Sequence, residues 1–340
     1  MNIALIGLGV VNQGLLEILR DKGESLKKDY GFEPRIVAAA TRTRGCVVAP
    51  DGVAIAPDWL LKARDLRSEG QALGYETDWD SLRIARSSSA DVVVEATPTD
   101  LKTAQPALDH CLSAIAGGKH LVLANKGPIA LAYDELRQAA KQAGVLLRFE
   151  ATVMAGTPSL RLGMQALAGC TIRSARGILN GTTNYMLTQM EAGQPYDAVL
   201  AEAQRLGYAE ADPTADVDGW DAAGKAIILA AALFNKTLTL DQMQVSGIRS
   251  ISPADIEAAR AAGERWKLIA EVTPEGGTVA PVRIPVSHPL AGVAGTTNAV
   301  TFNTDLMGDI TLIGAGAGRL QTGFALLSDL IDIHRQRMPI

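Results

Sequence analysis

Asn2-Ile3-Ala4-Leu5-Ile6-Gly7-Leu8-Gly9-Val10-Val11-Asn12-Gln13-Gly14 stands at the head of a 340-residue chain. Residues 2–6 are a short apolar run of the kind buried in a sheet. Leu15, Leu16, Ile18 and Leu19 then follow a helical spacing. Strand, Gly-x-Gly turn and helix in that order form a dinucleotide-binding fingerprint. Gly7 permits the tight turn, and Gly9 lets the backbone approach a pyrophosphate. The pyrophosphate rests on the helix N-terminus that Val10 and Val11 open. Asn12 occupies the position of the third glycine. The same turn without a ligand would be a plain strand-to-helix connection. The reading sets the fold class as α/β, with an N-terminal dinucleotide-binding domain of Rossmann type over residues 1–149.

The segments that follow extend that reading. A second strand is predicted over 35–40, and it ends in Thr41-Arg42-Thr43-Arg44-Gly45. NAD sites place an acid there for the ribose hydroxyls. Here two arginines could meet a 2′-phosphate, so Arg42 and Arg44 predict NADP, with NAD still possible; solvated arginines are the plainer alternative. A helix is expected over 58–69. Strand 91–96 ends at Thr97-Pro98-Thr99, helix 102–116 follows, and strand 119–124 ends at Asn125-Lys126. In an open α/β sheet the carboxyl ends of the strands face the ligand crevice, which puts Thr97 and Lys126 there. His110 and His120 read as ordinary surface or strand-end residues. A helix over 132–143 and a strand over 145–149 complete the domain.

Residues 207–225 carry Glu210, Asp212, Asp216, Asp218 and Asp221, followed by Lys225. Pro213 rules out a regular helix interior in the first part. Asp218 is the expected N-cap of a helix over 221–234, with Asp221 in its favourable first turn. Asp221 and Lys225, four apart, share one face. A surface pair of that kind contributes only about 0.3–0.5 kcal/mol. A calcium loop fails, because its first and last positions would be Thr214 and Lys225. The remaining reading is a site for a small zwitterion: acids for an ammonium, a lysine for a carbonyl or carboxylate. Upstream, strand 172–179 leads into Asn180-Gly181-Thr182-Thr183-Asn184-Tyr185, a turn able to donate to a carboxylate, and a helix over 185–192. Residues 237–303 mix strand and helix signals and are expected to complete an open mixed sheet. The last part is Gly314-Ala315-Gly316-Ala317-Gly318 and an apolar helix through Ile333. It leaves no room for a new domain and should return to the first one.

Composition narrows the class. The chain is 47% hydrophobic and 20% charged, with 33 glycines and a net charge of −5. That balance argues against nucleic acid and anionic membranes as partners. Cys46, Cys111 and Cys170 are far apart and suggest free thiols in a reducing cytoplasm. No apolar run reaches membrane-spanning length, and no leader pattern precedes the first strand.

Six motifs in order resemble those of the homoserine dehydrogenases: the N-terminal glycine turn, Ala124-Asn125-Lys126, residues 150–158, residues 180–185, residues 207–225 and the C-terminal glycine run. The resemblance implies reversible hydride transfer between L-homoserine and L-aspartate 4-semialdehyde, in threonine and methionine biosynthesis. It implies Lys225 as proton donor and Lys126 between nicotinamide and substrate. Glu210 and Asp212 would hold the amino group, Asp221 would orient Lys225 or bind that group, and Asn180 and Thr183 would line the substrate. It also implies a sodium ion on the Glu150 carboxylate and the carbonyls of Val153, Ala155 and Thr157, with Gly318 touching the cofactor. The second domain, 150–305, would be an α+β substrate and dimerisation domain of a homodimer, and 306–340 would return to the first. Departures are Asn12, Met154 where many members have glycine, and Ala215 where many carry an acid. The chain stops at 340, without the amino-acid-sensing domain of some members, so threonine inhibition through one is not expected. Two alternatives stay open. One is a related amino-acid or semialdehyde dehydrogenase of the same two-domain plan; a member forming an acyl phosphate would need a cysteine, with Cys170 the nearest candidate. The other is a non-catalytic NADP-binding sensor.

Overall fold

The computed structural model describes residues 1–337. The chain divides into two compact units, Met1–Gly156 together with the chain from Gly318 on, and Thr157–Ala317. Among the described residues, no helix is long and apolar enough to cross a membrane.

The first unit is built on a six-stranded sheet of order β3-β2-β1-β4-β5-β6. Its strands are β1 (Asn2–Ile6), β2 (Arg35–Thr41), β3 (Gly45–Val48), β4 (Val92–Glu95), β5 (His120–Leu123) and β6 (Leu147–Arg148). All pairs are parallel except β2 with β3, which form a hairpin through Arg42-Thr43-Arg44. Helices cover such a sheet on both faces, so its strands read as continuous apolar runs rather than alternations. Ile3, Leu5, Val92, Val94 and Val122 share one core, each fully buried. Burying a side chain of this size contributes about 1.5–3 kcal/mol. Register does the rest. Ile6 lies opposite Glu95, and Glu95 opposite Leu123. The three strands therefore end level, and the residues after them, from Gly7, Ala96 and Ala124, emerge at one edge.

The helices differ in places from their expected bounds. The predicted helix over 58–69 is two, Pro57–Lys62 and Leu66–Ala72, because Asp65 caps the second through the amides of Arg67 and Ser68. The helix predicted from 102 begins at Ala107, after Pro106. The helix predicted from 132 begins at Lys126, capped by the Asn125 side chain, and kinks at Ala132. The last helix, Arg319–Arg337, packs on the N-terminal helix Val10–Tyr30. Glycines set that approach, since a β-carbon on Gly323 would lie 2.5 Å from the Leu15 amide nitrogen.

The second unit carries a six-stranded mixed sheet of order β12-β11-β7-β9-β10-β8. It comprises β7 (Ile172–Ile178), β8 (Gln244–Val245), β9 (Glu264–Val272), β10 (Gly277–Pro285), β11 (Thr297–Thr304) and β12 (Gly308–Ala315). Only β8 with β10 is parallel. The residues Thr311-Leu312-Ile313 ahead of the glycine run thus belong to this sheet, and the chain leaves the unit after Ala317. The helix Trp220–Phe234 packs on β9 and β10 and is buried without a break from Ala222 to Ala231. Its alanines and glycine allow close approach to the strands. Helix Gly181–Glu191 is pinned by polar groups. Asn184 donates to the carbonyls of Val293, Gly295 and Thr297, and the buried Lys267 ammonium donates to Val293 O at 2.7 Å and to Asn184 Oδ1 at 3.3 Å. Burial pulls the Lys267 pKa down, while the nearby Glu191 charge opposes the fall.

Backbone, rather than a flexible side-chain end, faces Gly323. Gly323→Ala should therefore destabilise the protein by about 1–3 kcal/mol, as overpacking does, and thermal unfolding measures this.

Candidate active site

The glycine turn of the first unit is held by side chains that occupy its carbonyls. Asn12, fully buried, donates to Gly7 O at 2.6 Å. Gln13 donates to Leu8 O at 3.1 Å, and Arg44 donates to the same carbonyl at 3.0 Å and to Ala63 O at 2.9 Å. Asn12 thus does by hydrogen bonding what the missing third glycine does by packing. Gly7 has φ 84°, and a β-carbon there would lie 2.6 Å from Ala96 O, so the turn admits glycine alone. A β-carbon on Gly9 meets nothing within 4 Å. Helix Val10–Tyr30 has no side-chain cap at Gly9, with Val10 exposed and Val11 half-buried beyond it. Open space over Gly9, backed by uncapped amides, is the cradle a pyrophosphate needs. Arg42 is exposed in the β2–β3 turn, whereas Arg44 spends its guanidinium on the loop.

At the neighbouring strand ends, Thr97 is half-buried and its hydroxyl donates to Glu95 in a short contact. Asn125 donates to Thr97 O, Thr97 Oγ1 and Pro98 O, and its Oδ1 accepts from Gly127 N at 3.0 Å. Lys126, half-buried, opens that helix, and its amide donates to Thr99 Oγ1 at 3.3 Å. His110 corrects the expectation of a surface residue: it is 3% exposed and lies between Glu95 and Ser81. His120 does stand at a strand start, where its Nδ1 accepts from Leu146 N. The predicted cation ligands begin in a 3-10 turn. Glu150 is buried there and its amide donates to Asp329. Val153, Met154 and Ala155 are buried, and the left-handed residue is Ala155 at φ 47°. Met154 therefore suffers no backbone strain from replacing glycine. Gly318, with φ 132°, is exposed at the start of the returning chain.

The second unit gathers the charged groups. Lys225 is 7% exposed, and its ammonium lies 2.8 Å from Asp221 Oδ2 and donates to Leu179 O at 2.6 Å. The Asn180 amide donates to the same Asp221 oxygen at 3.0 Å and to Asp216 Oδ1 at 2.7 Å. Asn180 Oδ1 in turn accepts from the amide and the hydroxyl of Thr183, both at 2.9 Å. Thr183 is fully buried, so it acts here as a brace for the turn rather than as an open donor. Thr182 ties the turn to the acidic loop through Tyr208 O at 2.7 Å. Thr157, at the start of this unit, donates to Ala315 O.

Two expectations change here. Asp218 is not the N-cap of the Lys225 helix; Gly219 is, at φ 88°, where a β-carbon would press on Val245 and Val279 at 3.2 Å. Asp218 instead ends the one-turn helix Thr214–Val217 and pairs with Arg249. Asp216, counted among the acids but not singled out, is the second carboxylate on Asn180. Burial raises its pKa above the ordinary carboxylate value, the Asn180 hydrogen bond opposes the rise, and the Asp221 charge adds to it. Glu210 and Asp212 are exposed. The Glu210 carbonyl accepts from Gln204, and Asp212 Oδ1 accepts from Thr214 N. Linear spacing could not separate the half-buried Asp216, Asp218 and Asp221 from the exposed Glu210 and Asp212.

Comparison with known proteins decides the family. Residues 158–331 match the homoserine dehydrogenase family model, and residues 7–150 match the homoserine dehydrogenase NAD-binding domain. The chain belongs to the homoserine dehydrogenase family. It is 41% identical to an NAD(+)-dependent homoserine dehydrogenase of Pseudomonas canavaninivorans, over 98% of this chain and 96% of that one. It is 40% identical to a homoserine dehydrogenase of Methanocaldococcus jannaschii, over 98% of each. Among solved structures, a putative homoserine dehydrogenase from Archaeoglobus fulgidus aligns with TM-score 0.87 at 36% identity, over 98% of this chain and 99% of that one. A hyperthermophilic archaeal homoserine dehydrogenase in complex with NADPH aligns with TM-score 0.81 at 28% identity, over 99% and 98%. The chain is thus an NAD(P)-dependent oxidoreductase, and its first unit is the cofactor-binding domain of that family.

A carboxyl whose pKa is raised in the fold keeps its proton to higher pH than in the unfolded chain, where the value is about 3.9. Asp216 therefore subtracts stability as pH rises from there through its folded value, and the deficit persists at neutrality. Asp216→Asn should raise Tm at pH 7 and leave it unchanged near pH 3.5, while lowering kcat/KM. Melting curves at the two pH values, with a turnover assay, check both halves.

Proposed function

We propose that this chain interconverts L-homoserine and L-aspartate 4-semialdehyde with NADP as the preferred cofactor, and that Lys225 is the proton donor. The observation that carries the reading is the buried Lys225 ammonium, aimed by Asp221 and Leu179 O beside two further polar groups, Asn180 and Asp216. The nicotinamide, when bound, supplies and accepts the hydride. The protein's own work is to place the aldehyde and to answer charge. As the carbonyl is reduced, negative charge grows on its oxygen, and an ammonium donating there stabilises and then protonates it. In the reverse direction Lys225 takes the hydroxyl proton back. Asp221 keeps the ammonium oriented. Asp216, with Glu210 and Asp212 on the flanking loop, offers acceptors to the substrate amino group, and Asn180 and Thr183 fix the turn that receives the rest of the molecule. Lys126 contacts substrate and nicotinamide from its helix start.

Val10 and Val11 amides, over the space at Gly9, would hold the pyrophosphate, with Thr97 and Gly318 on the nicotinamide half. NADP is favoured because Arg42 is exposed at the end of β2 and no acid stands in that turn. Arg44 contributes by fixing the glycine turn. A sodium ion would sit on the Glu150 carboxylate and the carbonyls of Val153, Ala155 and Thr157, a hard-oxygen donor set suited to it. The working form is a cytoplasmic homodimer joined through the second unit, whose β11–β12 hairpin exposes Leu306 and Met307, at 72% and 64%. Sedimentation at micromolar concentration should give twice the chain mass.

One assay tests the catalytic reading: absorbance of the reduced nicotinamide with L-homoserine and either cofactor, with and without sodium. Lys225→Ala should lower kcat by about 10²–10⁴-fold while NADPH still binds. Arg42→Ala should raise the KM for NADP by about tenfold, the value of one charged hydrogen bond, and leave NAD kinetics alone. Full turnover in Lys225→Ala would remove that lysine from the mechanism, and a wild-type preference for NAD would reverse the cofactor reading.

A further inference from the structure

We propose that Glu95 is a positioning residue that sets the orientation of Lys126 through Thr97 and Asn125. The inference rests on the reading of Lys126 as a contact to substrate and nicotinamide, and it assigns a task to a buried cluster which that reading leaves idle.

Glu95 is the last residue of β4 and is 0% exposed. The strand before it is Val92-Val93-Val94, so an apolar side chain would complete the core at no desolvation cost. A carboxylate there is expensive, more so because Oε2 is buried without a hydrogen bond. Its other oxygen, Oε1, collects three contacts: the Thr97 hydroxyl in a short bond, the Thr97 amide at 3.4 Å, and His110 Nδ1 at 3.3 Å. His110 Nε2 lies 2.9 Å from Ser81 Oγ. A carboxylate only accepts. Facing the carboxylate, His110 presents Nδ1–H to Glu95 with its Nε2 beside Ser81 Oγ, and the Thr97 hydroxyl points its proton at Glu95.

That choice propagates. With its proton committed, the Thr97 oxygen presents a lone pair, and Asn125 Nδ2 donates to it at 3.1 Å. The same nitrogen reaches Thr97 O at 3.0 Å and Pro98 O at 3.1 Å, which fixes which end of the Asn125 amide faces the turn. Asn125 Oδ1 is left to cap the helix through Gly127 N, and Lys126 is the first residue of that helix. Lys126 N closes the loop on Thr99 Oγ1. One buried carboxylate thus orients the Thr97 hydroxyl, the first link in the set of bonds that runs through Asn125 to the helix start that carries the lysine. A buried carboxylate bonded into the turn at a strand's carboxyl end, the end that faces the ligand crevice in such a sheet, points to a task at the site.

The test is a set of mutant cycles on the full chain, with kcat and KM for both substrates and a fluorescence titration that counts NADPH sites. Glu95→Ala should lower kcat by about tenfold or more, in the range typical of partners that orient a site residue, with the number of NADPH sites unchanged. Glu95→Gln should recover most of the rate, because its carbonyl still accepts from Thr97 and His110. Thr97→Val breaks the same relay with little change in shape and guards against a Glu95 variant that does not fold. In a Lys126→Ala background, Glu95→Ala should not lower kcat further, since residues acting through one group are not additive. Losses that multiply, a Gln variant no better than Ala, or a fall confined to the number of binding sites would each overturn the proposal. Full turnover in Lys126→Ala alone would show instead that the reading of Lys126 had failed, and the Glu95 assignment would fall with it.

Discussion

A buried ammonium has to be met by oxygen, and much of the second unit is arranged around meeting one. Lys225 reaches Asp221 across one helical turn and Leu179 O at the end of β7. Those two partners join a helix to a strand. Asn180 then shares the Asp221 oxygen with Asp216 nearby, so the acidic loop is drawn to the same point. Removing the ammonium would leave carboxylates facing each other in a half-buried place, a costly arrangement. The cluster is therefore interdependent. Its polar groups hold one another in position, as a site that manages developing charge requires.

The first unit answers a different constraint. Its parallel sheet ends three strands level and delivers Gly7, Thr97 and Lys126 to one edge. What distinguishes this edge is how fully its backbone carbonyls are occupied. Asn12, Gln13 and Arg44 take the carbonyls of the glycine turn, and Asn125 takes those of the Thr97-Pro98 turn. Side chains hold the acceptors, so the amides above Gly9 are left for an anion. The departure at the third glycine position is thus compatible with cofactor binding: the turn is closed by an amide instead of by close packing.

Much of this was legible in the sequence, for a simple reason. Strand, Gly-x-Gly and helix are local patterns, and so are a lysine after a strand and an Asp–Lys pair at i,i+4. Each is written in neighbouring residues, and six such motifs in order carry the resemblance to the family that the comparisons show. Where the reading slipped, the deciding partner was distant. Asp218 had the spacing of an N-cap, but Arg249, thirty-one residues on, claims its carboxylate. His110 looked like a surface residue until Glu95 and Ser81 enclosed it. Among the acids of residues 207–221, Asp216 stands out through the Asn180 side chain, thirty-six residues upstream, that donates to it.

By itself, then, the sequence determined the α/β class, the strand, glycine turn and helix at its head, the dinucleotide-binding type of the first unit and a second mixed sheet, because periodicity and turn chemistry act between near neighbours. Only the tertiary structure decided which two acids face Asn180, which arginine is spent on the glycine turn, and that a fully buried glutamate underlies the Thr97 turn. Those outcomes depend on burial and on hydrogen-bond partners tens of residues away, and no local pattern encodes either.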